Sequence, residues 1–259
     1  MSGVAEPILV ERRSDLAIIA LNRPDRRNAF DAATMTRLAE SWSELEQDGG
    51  VRCVVITGTD PAFCAGADMS LLEGRDEGAA TAKEELSFLP GEHLSCPVIA
   101  AVNGVCAGGG LHFVADADIA IASDRASFLD PHVSVGQVTA LEPIQLALRA
   151  RRDLIVRMAL LGRHERVDAA QALEAGLVSE VVPHTQLVPR AVELAELIAS
   201  NSPSAVERSR KALRALDSDL IESSLERGWT LIRAQWEHPD AREGPRAFTE
   251  SRPPEWSDR

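Results

Sequence analysis

Phe63-Cys64-Ala65-Gly66-Ala67-Asp68 and Ala107-Gly108-Gly109-Gly110-Leu111-His112 decide how this chain folds. Each is a glycine-bearing loop that follows an apolar, β-branched run. Residues 51–57 (VRCVVIT) precede the first and residues 98–102 (VIAAV) the second. Glycine permits close backbone approach and positive φ without steric cost. Two such loops at strand ends can aim two backbone N–H groups at one point. Convergent N–H donors suit a carbonyl oxygen on which negative charge builds. A dinucleotide-binding reading is poor, because Gly108-x-Gly110 is followed by Phe113 where the third glycine belongs.

Working outward, residues 8–12 and 16–21 read as a strand pair around Ser14-Asp15. Residues 33–47 have apolar positions at helical spacing and stop near Gly49-Gly50. Residues 79–94 read as a helix that Cys96-Pro97 ends, 110–117 as a helix and 119–122 as a strand. Strand–helix alternation of this kind indicates parallel βαβ units. Beyond Pro143 helices dominate: 144–150, 154–161, 168–175, 189–200, 204–216, 221–236 and 241–250, with a short strand at 178–182. The change near Asn201-Ser202-Pro203 divides the chain into an α/β core, residues 1–200, and a helical region, residues 201–259.

The 259 residues are 45% hydrophobic and 26% charged, which suits an α/β domain with a large core. A net charge of −13 argues against nucleic-acid or anionic-membrane partners, which call for basic stripes. No apolar run approaches the roughly 18–20 residues that span a bilayer. MSGVAEPILVERRSD lacks a basic segment followed by an apolar core, so a cytoplasmic location is expected. Cys53, Cys64, Cys96 and Cys106 form no CxxC, which removes zinc-ribbon and thioredoxin-like readings. Cys53 and Cys106 read as small core hydrophobes, and Cys64 is a conceivable nucleophile without a base beside it in sequence. The absence of tyrosine excludes a phenolic acid or base.

FCAGADM, PVIAAVNGVCAGGG and FLDPH together resemble the three signature segments of the enoyl-CoA hydratase/isomerase (crotonase) superfamily. LNRPDRRNAF at 21–30 and EGPRAFTESRPPEW at 243–256 resemble its two ends, so the likeness spans nearly the whole chain. The resemblance implies an α/β fold, the crotonase (ClpP-like) β-β-α spiral, with a helical C-terminal region that packs a homotrimer or dimer of trimers. It implies an acyl-CoA substrate and no metal or cofactor beyond the coenzyme A of that substrate. It places the oxyanion-hole N–H groups on Ala67 and Gly109. For coenzyme A it points to Ala29, Ala65 and Asp68, to Phe248 of the tail, and to Arg26 and Arg27 as phosphate partners. A tail lysine common in the family is Ser251 here.

At the family's two catalytic glutamate positions this chain has His112 and His132. Imidazoles can also move protons near neutral pH, since an unperturbed histidine titrates at about 6.5. They can equally be neutral packing groups. Asp130, two residues before His132, can orient that ring or serve as a turn aspartate before Pro131. Glu142, in TALEP where relatives have a glycine-rich loop, is a candidate third group or a solvated charge. Replacing both histidines by glutamate is expected to restore the family pair. Hydration of a 2-enoyl-CoA, or its reverse, is the leading reading. The alternatives are an isomerase or β-diketone-type C–C bond hydrolase with a His/carboxylate site, and a non-catalytic acyl-CoA binder.

Overall fold

The computed structural model describes residues 6–68, 71, 79–91, 93–216 and 218–257. Strands β1 (Ile8–Arg13) and β2 (Leu16–Leu21) form an antiparallel hairpin, with Ser14 in the left-handed region. Helix α1 (Ala32–Asp48) follows, capped by the Asp31 carboxylate, which accepts from Thr34 N. Then β3 (Cys53–Gly58) and β4 (Ala62–Cys64), the short α2 (Ala82–Glu85), β5 (Val98–Val102), β6 (Val105–Ala107), α3 (Leu111–Asp116), β7 (Ile119–Ser123) and β8 (Ser127–Leu129) succeed one another.

These strands alternate between two sheets. One has the order β1-β2-β3-β5-β7-β10, where β10 is Glu180–Val182; the other is β4-β6-β8-β9, where β9 is Val167–Asp168. Each turn of the chain adds one strand to each sheet, so β3, β5 and β7 lie parallel while β4, β6 and β8 do the same beside them. That is a β-β-α spiral. Strands β3 and β5 are buried throughout, as both-face-covered parallel strands must be. Their period of two sends Val54, Ile56, Val98, Ala100 and Val102 into the main core, with Trp42 and Phe113. Cys53, Val55, Ile99 and Ala101 face the other way, onto α7 (Leu187–Ala199), which meets them with Leu187, Ala191, Ala195 and Ala199 at four-residue spacing. Truncating such a core residue as Ile99 to alanine costs about 2–5 kcal/mol.

Parallel neighbours in the second sheet have adjacent carboxyl ends. The residues that follow β4, β6 and β8, namely 65–68, 108–112 and 130–132, are therefore gathered at one edge. The sequence places each glycine loop directly after an apolar strand run of the first sheet. The structure corrects this: β4 and β6 intervene, three residues each, too short to show alternation. The expected helix over 79–94 is also corrected. Only Ala82–Glu85 is helical; Glu92 lies outside the described residues. Pro90-Gly91 breaks the run, Phe88 and Leu89 are buried, and the Phe88 carbonyl accepts from the Trp42 indole at 2.8 Å.

After β8 come α4 (Leu141–Arg149), α5 (Arg152–Leu161) and α6 (Ala169–Glu174), then, beyond α7, α8 (Pro203–Arg214), α9 (Ser218–Trp236) and α10 (Asp240–Thr249). Helix α8 is tied to the end of α3: Arg210 Nε meets Asp118 at 2.8 Å, and Arg214 reaches Asp118 and Asp116. Helix α10 packs on the turn after β8, where Gln137 Nε2 donates to Ala241 O at 2.9 Å, and Gln235 of α9 donates to Gly136 O at 3.0 Å. No helix among the described residues is long and apolar enough to cross a membrane.

Candidate active site

The two glycine loops face each other. Gly66 has φ 95°, and a Cβ there would stand 2.8 Å from Ala107 O and 3.1 Å from Gly109 N, so only glycine fits without movement. A Cβ on Gly109 would meet the Phe30 ring at 2.7 Å and Ala67 N at 3.5 Å. Phe30 N donates to Gly66 O, and Asp68 N donates to Phe30 O. These bonds use the Phe30 side of the strand, and the pleat turns the N–H of Ala67 to the other edge. Gly108–Gly110 form a tight buried 3-10 turn that leads into α3.

His112 lies on the first turn of α3 and is buried, its ring edge-on to Phe88. Its Nε2 is 3.1 Å from Glu142 Oε1. Its Nδ1 is buried without a hydrogen-bond partner among the described residues. In the neutral ring that fits both facts, Nε2–H donates to Glu142 and Nδ1 holds the lone pair. His132 opens the 3-10 turn His132–Val135, and its Nδ1 is 2.6 Å from Asp130 Oδ1. Its ring lies over the glycine turn: a Cβ on Gly108 would be 3.5 Å from His132 Cε1. Its Nε2 stands 3.8 Å from Glu142 Oε1.

The site therefore holds two imidazoles, each backed by a buried carboxylate. Asp130 belongs to His132 and Glu142 to His112, and Glu142 also faces His132. Burial pushes the Glu142 carboxyl up, but the attraction it has for His112 and His132 when these rings are protonated, with the hydrogen bond from His112, outweighs it. The carboxyl is held well below the usual carboxylate range. The helix expected over 144–150 begins instead at Leu141, and that earlier start puts Glu142 in the first helical turn, facing the rings.

The residues associated with coenzyme A spread more widely. Arg26 and Arg27 are exposed on the turn after Pro24, and neither has a carboxylate partner among the described residues. Ala29 O accepts from Arg23 Nη1, and Ala65 N donates to Arg27 O at 3.0 Å. Asp68 pairs with Arg23 at 3.1 Å, and Arg23 also meets Asp31 at 3.0 Å. Phe248 is exposed on α10. The Cys64 thiol is buried and pushed up to about 12, which removes it as a nucleophile.

Sequence reasoning missed two supporting residues. Thr139 Oγ1 donates to the second oxygen of Asp130. Asn28, buried at φ 57°, donates to Thr59 O and Ala62 O at 2.7 Å each and so fixes the approach to β4. The left-handed tolerance of asparagine was the available signal for Asn28. Thr139 carried none.

The sequence profile of the enoyl-CoA hydratase/isomerase family matches residues 11–259. The chain is 31% identical over 261 residues to the enoyl-CoA hydratase EchA19 of Mycobacterium tuberculosis, covering 97% of this chain and 96% of that one. It is 34% identical over 252 residues to the mevalonyl-coenzyme A hydratase of Aspergillus fumigatus, covering 93% and 91%. The crystal structure of a carnitinyl-CoA hydratase from Mycobacterium avium superposes with a TM-score of 0.87 at 35% identity, covering 99% and 100%. The spiral, the paired glycine loops and these matches agree along the length of the chain, which belongs to the enoyl-CoA hydratase/isomerase family.

Proposed function

We propose that this chain adds water to, or removes it from, an acyl-CoA thioester through an enolate held by the N–H groups of Ala67 and Gly109. It is an enzyme of hydratase type, a lyase, as its named relatives are. The observation that carries the mechanism is the pair of carboxylate-backed imidazoles over the glycine turn. Asp130 keeps the proton on Nδ1 of His132, which leaves Nε2 to accept one. His132 Nε2 takes a proton from water as the oxygen bonds to C3, and the C2–C3 π electrons move into the enolate. The imidazolium returns that proton to C2, so H and OH have added across the double bond. His112 Nδ1 accepts the second hydrogen of the water and fixes its direction. Glu142, held ionised, orients His112 and opposes the positive charge formed on His132. Each oxyanion donor is worth about 3–4 kcal/mol in the transition state.

Coenzyme A is placed along the loop from Arg26 and Arg27 to Ala29, Ala65 and Asp68, with the two exposed arginines on its phosphates and Phe248 beside the nucleotide. Binding should weaken with added salt, because exposed charge pairs are screened. Calorimetry with an acyl-CoA that gives no heat would remove this placement. Residues 1–200 are read as the spiral core and 201–259 as the region that packs a homotrimer or dimer of trimers. Exposed Leu213, Leu216 and Leu231 support that assembly, and sedimentation tests it.

The decisive experiment incubates the protein with enoyl-, dienoyl- and β-keto-CoA thioesters and reads the products by mass. A gain of water supports the proposal. The Asp130–His132 contact also suits water attack on a ketone, and cleavage of a β-diketone thioester would move the reaction to C–C hydrolysis. No turnover of any thioester would overturn both.

A further inference from the structure

We propose that Thr139 is a positioning residue for His132, acting through Asp130; this rests on the reading of His132 as the base. Asp130 is buried at 2% exposure, so both of its oxygens need partners within the protein. Oδ1 accepts from His132 Nδ1 at 2.6 Å and lies 3.3 Å from the backbone N of His132. Oδ2 accepts from the Thr139 hydroxyl. The terminal torsion of aspartate is broad and roughly two-fold, so the two contacts with His132, both at Oδ1, leave the other oxygen free to swing. The bond at Oδ2 fixes the plane of the carboxylate and with it the plane of the imidazole.

The hydroxyl also acts on the proton. A donor at Oδ2 stabilises the ionised carboxylate, which keeps the proton of the His132–Asp130 contact on Nδ1. The Nε2 lone pair then points away from Asp130, where the reaction needs it. Without Thr139 the Oδ2 atom is buried with no donor among the described residues. The carboxylate then turns toward another partner, Nδ1–H loses its acceptor, and the single ring proton sits on Nε2 for part of the time, which removes the lone pair there. Thr139 comes from the segment between the His132–Val135 turn and α4, three residues before Glu142. One stretch of chain thereby sets both carboxylate–imidazole pairs. A threonine whose only task is to hold the loop would leave the tautomer of His132 alone.

The test reads that tautomer directly. The full-length protein is labelled with 15N-histidine and examined at pH 8, with His132 assigned by its loss in His132→Ala. The native protein and Thr139→Ser are expected to show the proton on Nδ1, and Thr139→Val a mixture of tautomers. Thr139→Ala repeats the measurement if the valine packs badly. Kinetics use crotonyl-CoA. Thr139→Val should lower kcat about 5- to 30-fold with KM within about twofold, the size of a lost charge-assisted hydrogen bond. Thr139→Ser should recover most of the rate, and Thr139→Val should add nothing in the His132→Ala background. An unchanged tautomer in Thr139→Val, or losses that multiply with His132→Ala, would overturn the role of Thr139. Full activity in His132→Ala would instead overturn the base assignment on which it rests.

Discussion

His132 and Asp130 sit two residues apart in one turn and meet at 2.6 Å, whereas His112 and Glu142 come from two helices and meet at 3.1 Å. The His132 side chain is 25% exposed and the His112 side chain 8%. The first pair is set by local chain geometry, with access to whatever enters the site. The second is set by helix packing, with one ring nitrogen left without a hydrogen-bond partner among the described residues. A ring that exchanges protons needs access and a fixed tautomer. A ring that directs a water needs immobility and one open acceptor. The two imidazoles occupy the two family glutamate positions but are held differently, as the tasks proposed for them require.

The harshest way to break this comparison is His112→Glu/His132→Glu. From the sequence that double change restores a family glutamate pair. In the structure it gathers four carboxylates, with Asp130 and Glu142, in a buried site that has lost its imidazoles. Uncompensated buried charge costs about 3–5 kcal/mol or more. The variant is expected to unfold at markedly lower urea and to lose activity; native-like stability would show that the carboxylates are not in mutual contact. Next come the single changes. His132→Ala should lower kcat by about 10²–10⁴-fold, the range of a positioned acid or base. His112→Ala should cost less, about 10- to 100-fold, since its part is the direction of a water rather than its proton. The reverse ranking would exchange the two assignments.

Glu142→Gln separates charge from packing in the second pair. The folded carboxyl is held below its ordinary value, so its stabilisation is fully present above about pH 4–5 and is lost as pH falls through the lower folded value. Glutamine keeps the acceptor for His112 Nε2–H but not the charge. The change should cost about 1–3 kcal/mol at pH 7, and the cost should shrink toward pH 3. Urea titrations at the two pH values decide it: an equal cost at both would assign the effect to packing.

The local pair was legible in the sequence because its geometry is local. Asp130 and His132 at i and i+2, the two glycine loops and the β3 and β5 runs all express short-range rules. The order of elements followed from apolar runs and stop signals, and the spiral from the family likeness. The three-residue strands β4, β6 and β8 were not legible, since a run that short shows no period, and they are what bring the loops to one edge. The Glu142–His112 contact depends on where α4 begins and how it packs on α3. Thr139 depends on a carboxylate oxygen that no sequence pattern marks. The site was readable where one segment builds it and hidden where two segments meet.

The smallest expected effects come from two glycines of the C-terminal helices, and they test whether each helix supports one pair. A Cβ on Gly244, in α10, would stand 2.0 Å from Val135 O and 2.2 Å from Val135 C. Backbone cannot yield as a side-chain tip does, so Gly244→Ala must lift α10 from the turn that carries His132. A Cβ on Gly228, in α9, would meet Ala140 Cβ and Ile144 Cδ1 at 3.0 Å each, beside the start of α4 and Glu142. Those are side-chain atoms, and Ile144 Cδ1 is the far end of a flexible chain that can turn aside. Gly244→Ala should therefore cost about 1–3 kcal/mol of stability and Gly228→Ala about 1 kcal/mol or less. Their effects on rate should part as well. Gly244→Ala should reduce kcat a few-fold in the native background and leave it unchanged in His132→Ala, because it acts through the His132 turn. Gly228→Ala should show the same dependence on His112 instead. If both changes lower kcat equally in either background, the C-terminal helices support the site as one body, and the division between a locally built pair and a packed one fails at that level.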